Sequence, residues 1–107
     1  MKKYAYSYTI IKEKIDEWLV FVKEVNTNRN RAFTEMHARI GVTKESWYLQ
    51  KTSVGYEVLV YTEARDEKFK NENTEFSNWF RSEVIRIQNI DLNSNTEMPK
   101  IVLDWSE

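Results

Sequence analysis

The chain has no cysteine, one proline and only two glycines among its 107 residues. Without cysteine there can be no disulfide framework, no thiolate metal cluster and no cysteine nucleophile, which fits a reducing compartment such as the cytoplasm. Gly41 and Gly55 stand too far apart to build a dinucleotide-binding fingerprint or a P-loop. A single histidine completes no recognisable metal-ligand spacing. We therefore expect neither a metal nor another cofactor.

The chain also lacks an excess of either charge, because it contains 16 Lys and Arg residues and 17 Asp and Glu residues. The densest basic stretch, NTNRNR at 26–31, is far short of a patch that would bind nucleic acid. No apolar run approaches the roughly 20 residues of a membrane span, and the first residues lack the apolar centre of a signal peptide. The sequence predicts one soluble, cytoplasmic domain over residues 1–107 with neither nucleic-acid nor membrane partners.

Aromatic residues are plentiful, at 14% of the chain, and they occur within regular periods. Residues 4–11, YAYSYTII, alternate in the manner of a strand. Apolar residues then recur at spacings of three and four, which predicts a helix, a break near 26–30 and a second helical segment capped by Gly41. These residues are Ile11, Ile15, Trp18, Val22, Val25, Phe33, Met36 and Ile40.

The second half of the chain begins with SWYLQKTSVGYEVLVYTE, which predicts a hairpin turning at 53–55. TEFSNWFRSEVIRI predicts a further amphipathic helix with Asn73 or Thr74 as its N-terminal cap. Polar connections precede it at 66–76, with room for a helical turn around Phe69, and follow it at 89–98. After Pro99, the alternation in IVLDW predicts a strand at a sheet edge.

This order of elements predicts an α+β fold of the ferredoxin-like plait type (βαββαβ), a four-stranded antiparallel sheet with helices on one face. We expect the helices to cover Tyr6, Tyr8, Ile10, Trp47, Leu49, Val58, Val60, Ile101, Leu103 and Trp105. The opposite face then carries Ala5, Ser7, Thr9, Tyr48, Gln50, Leu59, Tyr61, Val102 and Asp104. Four large side chains on that open face, Tyr48, Leu59, Tyr61 and Val102, predict a homodimer. Ordinary exposure of the tyrosines to solvent is the alternative.

Three stretches, RAFTEMHARIGVTKESWYLQ, YEVLVYTEA and FSNWFRSEV, are similar to a small uncharacterised bacterial family of the dimeric α+β barrel group. The resemblance implies ferredoxin-like subunits that pair through their sheets. The wider group includes haem-degrading and antibiotic-biosynthesis monooxygenases, although a shared fold does not transfer function. Many relatives follow the first strand with a Pro-Gly turn, whereas this chain has Lys12 and Glu13 there.

Four residues are candidates for a binding site. His37, the only histidine, could ligate haem iron or move a proton, and its alternative role is that of a boundary residue on a helix. Arg39 could bind an anion or belong to a solvated charge ladder with Arg31 and Glu35. Trp47 and Tyr61 could line a pocket beside the first helices. No residue pattern identifies a catalytic group.

Two functions remain open at this stage. The first hypothesis is a small dimeric ligand-binding or interaction module, free of cofactors. The alternative is a monooxygenase-like enzyme that holds an aromatic or haem-type substrate between aromatic walls, with His37 at the haem. The sequence leaves open whether the protein is an enzyme.

Overall fold

A computed structural model describes residues 1–65, 73–89 and 98–107 of the chain. The helices are α1 (Ile15–Asn26), α2 (Asn30–Ile40) and α3 (Glu75–Ile87). The strands are β1 (Lys2–Ile10), β2 (Val42–Lys51), β3 (Tyr56–Ala64) and the two-residue β4 (Gln88–Asn89). The predicted turn around Phe69 and most of the predicted polar connection at 89–98 lie outside the described residues.

The end of α2 at Gly41 and the start of α3 after Thr74 lie where the sequence predicts, but α1 begins at Ile15, so Ile11 of the predicted stripe precedes the helix. The break between α1 and α2 falls at residues 27–29, and α2 ends at Gly41, whose φ of 81° is the left-handed conformation that glycine adopts without strain. Thr74 is the N-terminal cap of α3, because its side chain accepts from the Ser77 amide while the Ser77 hydroxyl accepts from the Thr74 amide. Glu13, between β1 and α1, also has a positive φ, 73°, which is uncommon outside glycine.

The sheet is antiparallel, and its long strands lie in the order β1-β3-β2. The predicted hairpin is confirmed, since β2 and β3 pair over their length and the Thr52 amide donates to the Gly55 carbonyl at 2.8 Å. The register places Tyr6 opposite Val60 and Val60 opposite Trp47. These three side chains therefore share the face that the helices cover.

The predicted four-stranded plait is wrong, although the α+β class is correct. Residues 101–105, predicted as the fourth strand, form neither strand nor helix, and Ile101, Val102, Leu103 and Trp105 are all exposed. Within the described residues, the outer edge of β1 pairs only with β4, at Thr9 and Ile10. An alternating pattern indicates that a segment suits a pleated surface, but a strand also requires a neighbouring backbone with which to pair. The described part of the tail has no such neighbour, and its Asp104 forms an ion pair with Lys3 at 3.1 Å.

The core is an aromatic cluster between the helices and the sheet. Phe21 of α1 lies at its centre, with ring centroids 5.8 Å from Trp47, 5.6 Å from Trp79 and 5.4 Å from Phe80. The guanidinium of Arg29 lies over the aromatic ring of Trp79, with its Cζ atom 3.9 Å from the ring centroid. None of the described helices has the length and apolar character needed to cross a lipid bilayer.

Candidate functional site

The candidate site is a cavity of about 510 Å³ between the helices α2 and α3 and the sheet. Its walls are mainly aromatic and aliphatic, and they include Tyr4, Tyr6, Tyr8, Met36, Ile40, Val42, Trp47, Phe80 and Val84. A few polar residues interrupt these walls, namely Ser7, His37, Glu45, Thr62 and Gln88. A volume of this size lies within the range of roughly 300 to 1,000 Å³ that is usual for small-molecule sites. Apolar walls with a few polar groups are also typical of such sites.

The carboxylate of Glu45 is the centre of the polar part of the wall. Its Oε2 lies 3.0 Å from His37 Nε2 and accepts from the indole N–H of Trp47 at 3.1 Å. Its Oε1 accepts from the hydroxyl of Thr62, the residue directly opposite on β3, at 3.1 Å. Three donors from one helix and two strands therefore hold one carboxylate, which is how a partly buried charge is kept stable.

The ring of His37 is held at both nitrogens. Nδ1 lies 3.0 Å from the carbonyl oxygen of Phe33, one turn earlier on α2. Because a carbonyl can only accept, Nδ1 carries a hydrogen. Nε2 lies within hydrogen-bond distance of Glu45 Oε2, at 3.0 Å. His37 and Glu45 are only 13% and 15% exposed, so this pair belongs to the cavity wall and not to the outer surface.

Two tyrosines of β1, Tyr6 and Tyr8, line the cavity. Burial raises the pKa of Tyr6 to about 12, and the nearby Glu45 carboxylate adds to the rise. Burial likewise raises the pKa of Tyr8, and the hydrogen bond that its oxygen accepts from Gln88 Nε2 at 2.8 Å opposes only part of that effect. Both hydroxyls therefore keep their protons at neutral pH.

Buried polar atoms without partners lie beside these tyrosines. Among the described residues, Gln88 Oε1 and the indole nitrogen of Trp18 are enclosed without a well-formed hydrogen bond. The Trp18 N–H nevertheless lies close enough to the Tyr8 oxygen to lower its pKa slightly, against the larger effect of burial. Donors from two side chains thus face the oxygen of Tyr8.

The structure brings together two of the four predicted site residues. His37 and Trp47 both line the cavity and both contact Glu45. Arg39 lies on an exposed part of α2 and does not line the cavity. Tyr61 lies on the opposite face of the sheet, where its hydroxyl donates to Glu63 Oε2 at 3.0 Å.

Sequence reasoning missed Glu45, Thr62 and the paired tyrosines as parts of one site. A signal for Glu45 was present, because a period of two places it on the same face of its strand as Trp47. A carboxylate on the covered face of a sheet needs donors, and Trp47 supplies one. No comparable signal marks Thr62, whose place beside Glu45 depends on the strand register.

Two further observations concern possible metal ligands and a second concavity. In residues 1–65, 73–89 and 98–107, no three histidine or acidic side chains are grouped as metal ligands. A second concavity of about 740 Å³ lies at the turn end of the hairpin, but its polar side chains, among them Lys12, Glu13 and Glu57, form no network like that of Glu45. The cavity beside Glu45 is therefore the better candidate.

Comparisons of this chain with protein-family models, with curated proteins and with solved structures give no match. The resemblance to a bacterial family of the dimeric α+β barrel group stays a prediction.

Proposed function

We propose that this protein binds a small, largely apolar molecule in the cavity between α2, α3 and the sheet. The observation that carries the proposal is the cavity of about 510 Å³ itself, whose walls are aromatic and aliphatic apart from a few polar side chains. Removing apolar ligand surface from water is worth roughly 25 cal/mol per Å². The polar groups would then fix the orientation of the ligand. A location in the cytoplasm stays a prediction from the sequence.

The alternative of a haem-dependent enzyme receives less support from the position of His37. Ligation of iron requires a free lone pair on one ring nitrogen. Nδ1 faces the Phe33 carbonyl and Nε2 faces Glu45, each at 3.0 Å. Glu45 would have to leave Nε2 before iron could bind there, so we favour a binding protein over a monooxygenase.

A fluorescent apolar probe, 1-anilinonaphthalene, tests the proposal. We expect its emission to rise and saturate on titration with the wild-type protein. Val84→Trp places a larger side chain into the cavity wall and should weaken probe binding at least tenfold. Val54→Trp makes the same change at the exposed tip of the hairpin and should leave binding unchanged.

Circular dichroism should show that both tryptophan variants are folded. If the wild-type protein does not bind the probe, or if folded Val84→Trp binds it as well as Val54→Trp does, the cavity is not a ligand site.

We also propose that two copies pair through the uncovered face of the sheet. Leu59 is 40% exposed there, between Ser7 on β1 and Tyr48 on β2. Lys44 lies toward one end of the face and Glu57 toward the other. A two-fold axis near Leu59 and Tyr61 would place Lys44 of each copy near Glu57 of its partner, as an isologous interface requires.

Leu59→Asp should convert the dimer into monomers, because each copy would bury an unpaired carboxylate in the interface. Sedimentation velocity at several concentrations measures the change. Leu49→Asp is a matched control, since Leu49 is also 40% exposed but lies on the other face of the hairpin. A wild-type protein that sediments as a monomer at every concentration would show that the face is simply hydrated.

A further inference from the structure

The cavity offers more hydrogen-bond donors than its own acceptors can use. The Tyr6 hydroxyl has no hydrogen-bond partner among the described residues, although its side chain lines the cavity. The Tyr8 oxygen accepts from Gln88 Nε2 at 2.8 Å. Among the described residues the Tyr8 O–H donates to no acceptor, although Oε1 of the same Gln88 amide is buried without a partner. A ligand that supplies an acceptor would give each of these O–H groups a hydrogen bond.

The main acceptor in the cavity wall is already engaged. Glu45 receives hydrogen bonds from Trp47 and Thr62 and lies 3.0 Å from His37 Nε2. A ligand that offered only donors would therefore compete with three protein groups for this carboxylate. Such a ligand could also donate to Gln88 Oε1, which has no partner, or to the tyrosine oxygens, but it would leave the O–H groups of Tyr6 and Tyr8 without an acceptor.

A negative charge on the ligand is disfavoured at the same place. The Glu45 carboxylate adds to the rise in the Tyr6 pKa that burial produces, which shows that its field opposes a negative charge at the Tyr6 oxygen. An anionic head group bound to Tyr6 would meet the same field and would also lose its hydration among apolar walls.

From these contacts we propose that the ligand is a neutral, mainly hydrocarbon molecule with a carbonyl oxygen that accepts from Tyr6 and Tyr8. This inference rests on the proposed ligand-binding function and adds the chemical class of the ligand. Tyr6 and Tyr8 lie two residues apart on β1, on the same face, with ring centroids 6.0 Å apart. A single carbonyl oxygen, which has two lone pairs, is the simplest group to serve both hydroxyls.

Two probes of the same shape test the proposal. In 2-acetylnaphthalene a carbonyl is attached to the rings, and in 2-isopropenylnaphthalene a C=CH₂ group replaces it. Displacement of 1-anilinonaphthalene gives the affinity of each. We expect the ketone to bind the wild-type protein about tenfold more tightly than the alkene, since each hydrogen bond contributes modestly and two are formed.

Tyrosine variants identify the donors. Tyr6→Phe and Tyr8→Phe should each weaken ketone binding about threefold and leave alkene binding unchanged, and the double variant should show no preference. Tyr48→Phe removes a hydroxyl from the opposite face of the sheet and should change neither affinity. The carbonyl stretching frequency of bound ketone should also be lower in the wild-type protein than in the double variant.

The possible failures are distinguishable. If 1-anilinonaphthalene binds but the two probes bind equally, or if the preference survives in the double variant, the carbonyl assignment is wrong while the cavity remains a ligand site. If none of the three molecules binds to the wild-type protein, both proposals are wrong.

Discussion

Replacing Phe21 with alanine is expected to lower the free energy of unfolding by about 3 to 5 kcal/mol. Phe21 is only 2% exposed, and its ring lies within 6 Å of those of Trp47, Trp79 and Phe80, measured between centroids. These large rings belong to a strand and a second helix, so they cannot close the space that the lost ring would leave. The loss is a large part of the roughly 5 to 15 kcal/mol that stabilises a typical domain.

Urea unfolding followed by circular dichroism measures this change. Val20→Ala is the matched control, because Val20 precedes Phe21 on the same helix but is 63% exposed. Its effect should stay within about 0.5 kcal/mol, as for most surface substitutions. Equal losses in the two variants would contradict the central position of Phe21.

The second large effect is expected at Glu45. Glu45→Ala removes the acceptor that holds Trp47, Thr62 and His37, and leaves three donors in a largely enclosed wall. Hydrogen bonds to a charged group contribute roughly 1.5 to 3 kcal/mol each, and their losses at one carboxylate are not additive. We expect a loss of about 3 kcal/mol in the free energy of unfolding, measured by the same urea titration.

Glu35→Ala is the control, because it removes a carboxylate from the exposed surface and not from the cavity wall. Glu35 is exposed and pairs with Arg31 at 3.1 Å on the surface of α2. Such a pair contributes at most about 0.5 kcal/mol.

In Glu45→Ala the indole N–H resonance of Trp47 should also shift, because its acceptor is gone. An unchanged resonance together with wild-type stability would show that the network around Glu45 is not formed.

The local features of the fold could be predicted because they depend on neighbouring residues. Gly41 ends α2, Thr74 caps α3, and the turn at 53–55 joins two strands, each for a reason contained within a few positions. Phe21 shows that a periodic pattern can predict the buried side of a helix without identifying its most buried residue. The stripe through Trp18 and Val22 predicts the correct side of α1, but the most deeply buried ring lies between them in sequence.

The features that were missed depend on distant parts of the chain. Residues 101–105 have the alternation of a strand, but whether they pair is decided by the edge of β1, which precedes them by about ninety residues. The candidate site shows the same limit. His37 and Trp47 could be chosen as reactive or aromatic residue types, whereas Tyr6 and Tyr8 join them only through the register of β1 with β3.

The position of Gly41 has a consequence for the order of folding. His37 and Glu45 are eight residues apart, and the helix-to-strand junction at Gly41 lies between them. Closing so short a loop has a low entropic cost, so this contact can form before β1 reaches β3, whose paired residues lie 48 to 62 positions away in sequence. We therefore expect α2 and the first half of β2 to form a compact unit early in folding, before the N-terminal tyrosines pack against it.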